Sequence, residues 1–324
     1  MSVLAEIRMP VEKEMREFES YFNKTMKSNI PLLKIILNYI LRRKGKQMRP
    51  LLVLLTAGLN GKISESTYVA ATFIELLHTA SLVHVDVVDD AHERRGALSI
   101  NALWNSKIAV LVGDYLLSRG LLLSLENEEY HLLKIVSNAT REMSEGELLQ
   151  IEKARKLDIE EPVYFEIIRK KTASLIASCC AAGAASVGSN AETIEKMRLF
   201  GEYVGIAFQI KDDLFDYQKN LATGKPNGID IKEKKMTLPL IHMLNNMTWI
   251  EKRRAMNIVR NHNNEPPKVA ELITKVNSSG GIEYAAGKMN EYQQKALALL
   301  HSMPESESRN SLEQLVKFTT ERKH

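Results

Sequence analysis

Long apolar stretches with helical periodicity are the feature that most constrains the fold of this chain. The 324 residues include only nine prolines and 16 glycines, and apolar side chains recur at spacings of three and four. No segment alternates between apolar and polar residues over any length, as a half-buried strand would. No change of composition marks a linker. The sequence therefore predicts an all-α bundle in a single domain, residues 1–324.

Proline, serine and glycine positions predict where several helices begin and end. Pro31 opens a helix that ends near residue 44. Ser64 or Ser66 can cap a long helix that runs to about residue 90. A continuous helix is expected over 160–187, and a polar loop rich in glycine and lysine over 220–236.

Composition excludes several classes of protein. The net charge of +4 is small and dispersed, which gives no electrostatic case for nucleic acid. Cys179 and Cys180 are adjacent, a poor arrangement for a disulfide, and they suit a reducing cytoplasm. The first residues carry acidic groups and do not resemble a signal peptide. We expect a cytoplasmic protein with no transmembrane segment, since no window approaches the apolar length of a membrane span.

Two aspartate clusters lie far apart in helical, apolar surroundings. Unpaired carboxylates are costly there, and spacings of three and four place them on one helical face. Solvated helix faces would be one explanation. Two clusters flanked by cations favour another, a Mg²⁺ ion that shares its ligand shell with substrate phosphates. The first cluster contains Asp86, Asp89 and Asp90, and the second contains Asp212, Asp213 and Asp216.

Basic residues accompany both clusters. Taken singly, each is most often an ordinary surface charge, but Arg and Lys also bind phosphate oxygens. Together with metal-binding carboxylates they predict a site for two diphosphates. The residues concerned are Lys46, Arg49, Arg94, Arg95, Lys171, Lys225 and Lys235, with Thr172 beside Lys171.

Several motifs in this order resemble the trans-polyprenyl diphosphate synthase family. The resemblance covers nearly the whole chain and implies an all-helical fold with a central cavity between helices, usually in a homodimer. The matching segments are 45–50, 78–84, 94–96, 113–117, 171–173, 205–213, 224–231 and 237–240.

The resemblance also implies roles for individual residues. The diphosphate of isopentenyl diphosphate would be held by Lys46, Arg49, His78 and Arg95. The allylic diphosphate would be held by Arg94, Lys171, Thr172, Gln209, Lys225 and Lys235. Metal binding would involve Asp86, Asp89, Asp212 and Asp216, supported by Asp213, and the catalytic groups would be Lys171, Asp89 and Asp212. His78 and His84 could each be core histidines; position favours His78 as a phosphate donor and gives His84 no catalytic role.

Val85 departs from the family pattern. The family's first cluster begins with two aspartates after the histidine, and the first of these, a direct Mg²⁺ ligand, is Val85 here. An isopropyl group cannot coordinate a metal. Two functions of different class remain: a polyprenyl diphosphate synthase, weakened by Val85, or a catalytically silent binding or regulatory subunit of a heteromeric synthase. An altered copy of an active enzyme would look the same, and a terpene cyclase is a weaker third reading.

Small residues before the first cluster predict a long product, geranylgeranyl or beyond. Ala80 and Ser81 lie about one turn before Val85, where bulky aromatic side chains in the family stop chain growth. Simple helix packing would also explain two small residues. If they admit the chain, the floor of the pocket lies deeper, near Leu77 or Phe73 or on a facing helix.

Overall fold

The computed structural model describes residues 3–43, 45–94, 96–217 and 228–321. The chain is 81% helical, which confirms the all-α prediction. The helices are α1 (Val3–Arg8), α2 (Glu12–Thr25), α3 (Pro31–Arg42), α4 (Met48–Asn60), α5 (Glu65–Val88), α6 (Ile100–Trp104), α7 (Ser106–Glu126), α8 (Tyr130–Lys156), α9 (Glu161–Ile168), α10 (Ser174–Ala185), α11 (Ala191–Phe215), α12 (Ile229–Lys232), α13 (Leu238–Asn245), α14 (Trp249–Asn261), α15 (Pro266–Ser278), α16 (Gly281–His301) and α17 (Glu307–Glu321). Met9–Val11 forms a 3₁₀ turn and Arg169–Ala173 a π-helical turn.

Internal contacts divide the chain into two compact units. The first unit comprises Met1–Thr140, Ser178–Arg198 and Pro304–Leu312. The second comprises Arg141–Ala177, Leu199–Met303 and Glu313–His324. The single domain, and a cavity between the two aspartate clusters, remain predictions.

Helix α5 forms the centre of the first unit and packs against α4 and α7. Of the two predicted N-caps, Ser64 and Ser66, the structure has Ser64. The backbone N–H of Ser64 donates to Oγ1 of Thr67 at 3.3 Å as part of a capping box. Phe73, Ile74 and Leu76 on its buried side are fully enclosed. The helix therefore holds its C-terminal aspartates on a rigid support.

Among the described residues, two helices are long and apolar enough to span a membrane, α5 and α7. The expectation that no window approaches this length was therefore wrong. The apolar windows are 56% buried in α5 and 39% buried in α7, and the two helices pack on each other. Core helices of soluble proteins meet the same criterion, so the finding is weak evidence for a membrane span.

A short hairpin follows α5 and departs from the expectation of no strands. Strand β1 (Glu93–Arg94) pairs antiparallel with β2 (Ala97–Leu98), with Glu93 opposite Leu98. Gly96 in the turn has φ +70°, a conformation that glycine adopts without steric cost. Two residues per strand are too few for an alternating pattern in the sequence.

The second unit corrects two helix predictions. The expected continuous helix over 160–187 is interrupted by the π-helical turn at Arg169–Ala173. The expected loop over 220–236 contains α12; residues 218–227 lie outside the described residues. The buried core of this unit is built mainly from α9, α11, α13 and α15.

Candidate functional site

The first aspartate cluster lies at the C-terminus of α5. Asp86 is buried, with 5% of its surface exposed, whereas Asp89 and Asp90 are exposed. Asp89 caps the helix and donates its N–H to the carbonyl of Val85 at 2.9 Å. Asp90 adopts φ +48° and accepts a 3.4 Å hydrogen bond from Nδ2 of Asn101. The helix end thus separates one buried carboxyl group from two that face solvent.

A cavity of about 320 Å³, called here the first cavity, lies in the first unit beside this cluster. The ionisable side chains in its wall are Arg43, Glu75, His78 and Asp86, apart from the phenol of Tyr39. His78 is only 8% exposed. The remaining lining is mostly apolar or uncharged, and includes residues of α3 and the hairpin. The structure therefore brings together His78 and Asp86, both predicted as site residues.

The other predicted cations of the first unit come from the start of α4 and from the hairpin segment of the sequence. Lys46 is exposed and precedes α4, while Arg49 is half-buried in its first turn. Neither is among the residues that line the first cavity, although Gly45 and Gln47 are. Arg94 lies in β1, and Arg95 lies outside the described residues. Phosphate binding by these four residues remains a prediction.

His84 contacts α7 rather than the first cavity. Its Nε2 lies 3.2 Å from the carbonyl oxygen of Val110 and 3.4 Å from Oδ1 of Asp114. A Cβ atom at Gly113 would lie 2.1 Å from this nitrogen, so the ring needs glycine at that position. These contacts place His84 against α7, and its lack of a catalytic role remains a prediction.

Three hydrogen bonds connect α9, the π-helical turn and α11 in the second unit. The Tyr164 hydroxyl donates to Oδ2 of Asp213 at 2.7 Å. Nε2 of Gln209 donates to Oδ1 of the same carboxylate at 2.9 Å. The Thr172 hydroxyl donates to Oε1 of Gln209 at 2.8 Å. The chain of bonds fixes the side-chain amide of Gln209 and places the Thr172 hydroxyl beside it.

Burial perturbs two carboxyl groups here. Burial, and to a lesser extent the negative charge of Asp230, together raise the pKa of Asp213 to about 7. Burial, followed by the negative charge of Asp216, raises the pKa of Asp230 to about 6. Two carboxyl groups that resist ionisation together indicate a region where a cation would be favoured.

The π-helical turn presents Lys171 and Thr172. A Cβ atom at Gly146 of α8 would lie 2.6 Å from the backbone nitrogen of Lys171, and one at Gly205 of α11 would lie 2.5 Å from Cα of Ala173. Two glycines therefore allow neighbouring helices to approach the turn closely. The Lys171 ammonium pairs with Glu147 at 2.6 Å and lies 3.4 Å from Oε1 of Gln150. π-Helical turns often occur at functional sites.

A second cavity, of about 210 Å³, collects these groups within the second unit. Lys171 and Lys235 are its cations, and Lys235 also forms an ion pair with Glu233. Lys225 lies outside the described residues. The polar residues that line this second cavity are Gln150, Tyr164, Lys171, Thr172, Gln209, Asp213, Asp230, Lys235 and Thr237.

Asp212 and Asp216 differ in their surroundings. Asp212 is half-buried near the end of α11. The carboxylate of Asp216 accepts hydrogen bonds from the backbone N–H groups of Ile229 at 2.9 Å and Asp230 at 3.1 Å. These bonds explain why α12 forms within a segment whose composition predicted a loop. The roles of both aspartates as metal ligands remain predictions.

The donor groups fit a metal ion that is shared with substrate. Within the described parts of the chain, no group of three or more His, Cys, Asp or Glu side chains is arranged to enclose a metal. Mg²⁺ is usually held by one or two carboxylates together with waters and substrate phosphates. Each cluster supplies carboxylate oxygens of this kind, with Asp89 in the first unit and Asp212 in the second.

Three residues around the second cavity were missed by the sequence analysis: Tyr164, Gln150 and Asp230. Tyr164 is an aromatic residue within α9 whose spacing matches a core position. Nothing in the local sequence pattern indicates that its hydroxyl donates a hydrogen bond to Asp213. Gln150 resembles an ordinary polar residue, and Asp230 was named only as part of the matching segment 224–231, without a role in the site.

The polyprenyl synthetase family model matches residues 30–276. The chain is 35% identical over 321 residues to an all-trans-nonaprenyl-diphosphate synthase (geranyl-diphosphate specific) of Rhodobacter capsulatus, covering 98% of this chain and 97% of the relative. It is 33% identical over 308 residues to heptaprenyl diphosphate synthase component 2 of Bacillus subtilis, covering 94% and 87%.

A solved structure has the same fold. It is a polyprenyl synthase from Caulobacter crescentus complexed with calcium and isoprenyl diphosphate, with a TM-score of 0.90 and 30% identity. The match covers 99% of this chain and 98% of that one.

Proposed function

Because this chain belongs to the polyprenyl synthetase family of prenyltransferases, we propose that it condenses isopentenyl diphosphate with an allylic diphosphate. The observation that carries the proposal is the pair of cavities, each with basic or imidazole groups beside a carboxyl cluster. Such walls suit diphosphates bridged by a divalent cation. The Caulobacter relative, solved with calcium and isoprenyl diphosphate, supports the same ligand chemistry.

The second cavity would bind the allylic diphosphate and stabilise its departure. Breaking the allylic C–O bond leaves a carbocation and moves negative charge to the diphosphate. Lys171 and Lys235 would bind that charge, with Thr172 as a hydrogen-bond donor. A bound Mg²⁺ would supply further positive charge at the leaving oxygens.

Apolar groups around the second cavity would protect the carbocation. Ile159, Ile167 and Met236 line the wall and would exclude water that could trap the cation. The double bond of isopentenyl diphosphate attacks the cation, a C–C bond forms, and loss of a proton restores a double bond. The released diphosphate can accept that proton, so the reaction requires no protein base.

Isopentenyl diphosphate would occupy the first unit. His78 lines the first cavity beside Asp86, and Lys46, Arg49 and Arg95 would hold the diphosphate oxygens. We propose Mg²⁺ as the metal, and Asp86, Asp89, Asp212 and Asp216 as the carboxylates that bind or support it.

We propose a long product, geranylgeranyl diphosphate or beyond. Ala80 and Ser81 are small residues at the positions on α5 where, by the family resemblance, bulky side chains would stop chain growth. The named products of the two relatives described above, nonaprenyl and heptaprenyl diphosphate, are long. A growing chain gains free energy for each isoprene unit it buries.

A silent subunit of a heteromeric synthase is the second candidate function. Val85 favours the silent subunit, because valine at this position leaves the first cluster without one of the carboxylates of the family pattern. The Bacillus subtilis relative is named as one component of its enzyme, which is consistent with a heteromer in this family.

We further propose a cytoplasmic homodimer assembled through α7. This helix carries apolar residues on every side, a pattern more typical of an enclosed helix than of a surface helix. Nevertheless, Leu111, Leu122 and Leu125 are 67%, 49% and 44% exposed. A second copy covering this face would bury them.

Turnover of radiolabelled isopentenyl diphosphate with an allylic primer and Mg²⁺ tests the proposal. The wild-type protein and the Val85→Asp variant are assayed together, and diphosphate binding is measured by calorimetry. Turnover by the wild type, even if slow, supports the synthase. Binding without turnover in either form favours the silent subunit, and absence of both binding and turnover contradicts both candidates.

A further inference from the structure

One stretch of the chain is strongly basic. Residues 20–64 contain no Asp or Glu. The basic residues in this stretch are Lys24, Lys27, Lys34, Arg42, Arg43, Lys44, Lys46, Arg49 and Lys62. The dispersed net charge of the whole chain conceals this local excess, which lies in and around α3.

Helix α3 exposes aliphatic side chains to solvent. Ile30, just before it, is 62% exposed, and Leu32 and Ile35 are 45% and 59% exposed. The opposite face of the helix is anchored, since Ile36 and Leu37 are each 1% exposed. The helix therefore has a buried apolar face and a second apolar surface that the described part of its unit leaves uncovered.

Cations are interleaved with these aliphatic residues. Lys27, Lys34 and Arg42 are all exposed, and no carboxylate among the described residues lies within ion-pair distance of them. Ile30, Lys34 and Arg42 are separated by multiples of four, which places them along one side of the helix. The surface formed by residues 27, 30, 34, 35 and 42, called here the α3 surface, is both apolar and positively charged.

We propose that the α3 surface docks onto an anionic lipid bilayer. Basic helices with exposed aliphatic groups bind at membrane interfaces, where the apolar side chains enter the headgroup boundary and the cations meet anionic lipids. A protein partner is the less favoured occupant. Protein interfaces are typically enriched in aromatic residues and depleted of lysine, whereas this surface has aliphatic residues beside Lys27 and Lys34.

The same helix borders the first cavity. Tyr39, Ile40 and Leu41 line that cavity, and the Tyr39 hydroxyl donates to the carbonyl of Leu98 in β2 at 2.6 Å. Docking through α3 would therefore bring the first cavity close to the bilayer. The benefit of docking rests on the proposed function, because a long prenyl chain released beside the bilayer could pass directly into lipid. Binding to vesicles itself does not depend on catalysis.

Co-sedimentation with vesicles tests the docking proposal. The full-length protein is mixed with vesicles of phosphatidylcholine alone or of phosphatidylcholine with an equal amount of phosphatidylglycerol. We expect binding only to the anionic vesicles, weakened by added salt. The Lys27→Glu/Lys34→Glu variant should bind at least about 25-fold more weakly, from about fivefold for each cation lost.

A matched pair of variants separates the α3 surface from general surface hydrophobicity. Ile30→Ser/Ile35→Ser removes two exposed aliphatic residues of α3 and should reduce binding at least tenfold. Trp249→Ser/Ile250→Ser removes a comparably exposed pair, 71% and 57% exposed, that also lies near cations on α14, and should leave binding unchanged. Unchanged thermal unfolding would confirm that both variants fold.

Several outcomes would overturn the proposal. These are no binding to anionic vesicles, equal binding to both vesicle types, or loss of binding only in the α14 variant. Diphosphate binding, measured separately, distinguishes a failure of the docking surface from a failure of the proposed function.

Discussion

The Tyr164 hydroxyl donates a 2.7 Å hydrogen bond to Oδ2 of Asp213, a residue 49 positions further along the chain. Both side chains are buried, so neither group can exchange its partner for bulk water. The bond connects α9 to α11 and, through Gln209, reaches Thr172. One tyrosine thereby helps to order the polar wall of the second cavity.

Tyr164→Phe should lower the free energy of unfolding by about 1–3 kcal/mol, because it removes the donor to a buried carboxyl oxygen. It should also weaken allylic diphosphate binding, since Gln209 and Thr172 lose their support. Urea unfolding and calorimetry measure the two effects. Tyr284→Phe is the matched control: it breaks a 2.7 Å bond to Glu161 at a more exposed position and should leave diphosphate binding unchanged. Equal effects in both variants would contradict the positioning role.

Stability should fall as pH rises from about 4 to 7. The pKa values of Asp213 and Asp230 are raised in the folded protein, so the folded state holds protons that the unfolded chain releases near the ordinary carboxyl pKa. Below the ordinary carboxyl pKa, the two carboxyl groups do not reduce the free energy of unfolding. As pH rises through their raised pKa values, the folded protein becomes less stable relative to the unfolded chain.

Asp230→Asn should remove much of this dependence and stabilise the protein at pH 8 by roughly 2 kcal/mol, with little change at pH 4. Urea unfolding without divalent cations at both pH values measures the difference. Glu283→Gln, at an exposed position of the same unit, should change neither value. A variant whose stability still fell across this range as steeply as the wild type would show that other groups control it.

Val85→Asp should raise turnover by about tenfold or more, since a restored metal ligand supplies transition-state stabilisation and each ~1.4 kcal/mol corresponds to a tenfold rate. Val85 lies one helical turn before Asp89, and its carbonyl oxygen accepts a hydrogen bond from the N–H of Asp89 at 2.9 Å. An aspartate at position 85 could therefore share a cation with Asp89. Steady-state kinetics with Mg²⁺ measure the gain.

Val88→Asp is the control for that gain. Val88 is 67% exposed at the same end of α5, and an added charge there should not increase turnover. If both substitutions raised the rate equally, the gain would reflect general negative charge rather than a specific ligand. Equal rates for the wild type and Val85→Asp would show that Asp86 or Asp90 already compensates.

Much of the fold could be predicted from local signals, whereas much of the site could not. Pro31 and Ser64 fix helix starts through short-range chemistry that the sequence displays directly. The π-helical turn depends instead on Gly146 and Gly205, which come from two other helices. Likewise, α12 forms where Asp216 accepts backbone N–H groups. Contacts between distant segments leave no periodic pattern, and only a family resemblance indicated which cations to expect at each diphosphate.

Leu111→Lys should dissociate the proposed homodimer. Leu111 is 67% exposed on α7, and a lysine there would place charge in an apolar interface without a partner. Light scattering over a range of concentrations should show a monomer. Ile250→Lys, at a position 57% exposed on α14, serves as the control and should leave the mass unchanged. A wild-type protein that is monomeric at all concentrations would contradict the dimer.

The product-length prediction can be refined from the structure of α5. Ala80 is only 2% exposed, so a phenylalanine there would overpack the core. Ser81 is half-buried, and its hydroxyl donates to the carbonyl of His78 at 2.8 Å. Neither residue lines the first cavity, which contacts Thr79, Leu82 and Val83 instead. Ser81 is therefore the better position at which to test chain growth along a separate face of the helix.

Ser81→Phe in the Val85→Asp background should shorten the product, as measured by chromatography of the dephosphorylated alcohols. Buried residues precede it on α5: Leu77 is 2% exposed, and the ring of Phe73 covers Gly120 of α7, where a Cβ atom would lie 2.7 Å from it. Leu82→Phe adds similar bulk on the face that lines the first cavity. It should raise KM for isopentenyl diphosphate without changing the product. An unchanged chain-length distribution in Ser81→Phe would refute growth along this face, because a phenyl ring one turn before residue 85 would obstruct any prenyl chain extending there.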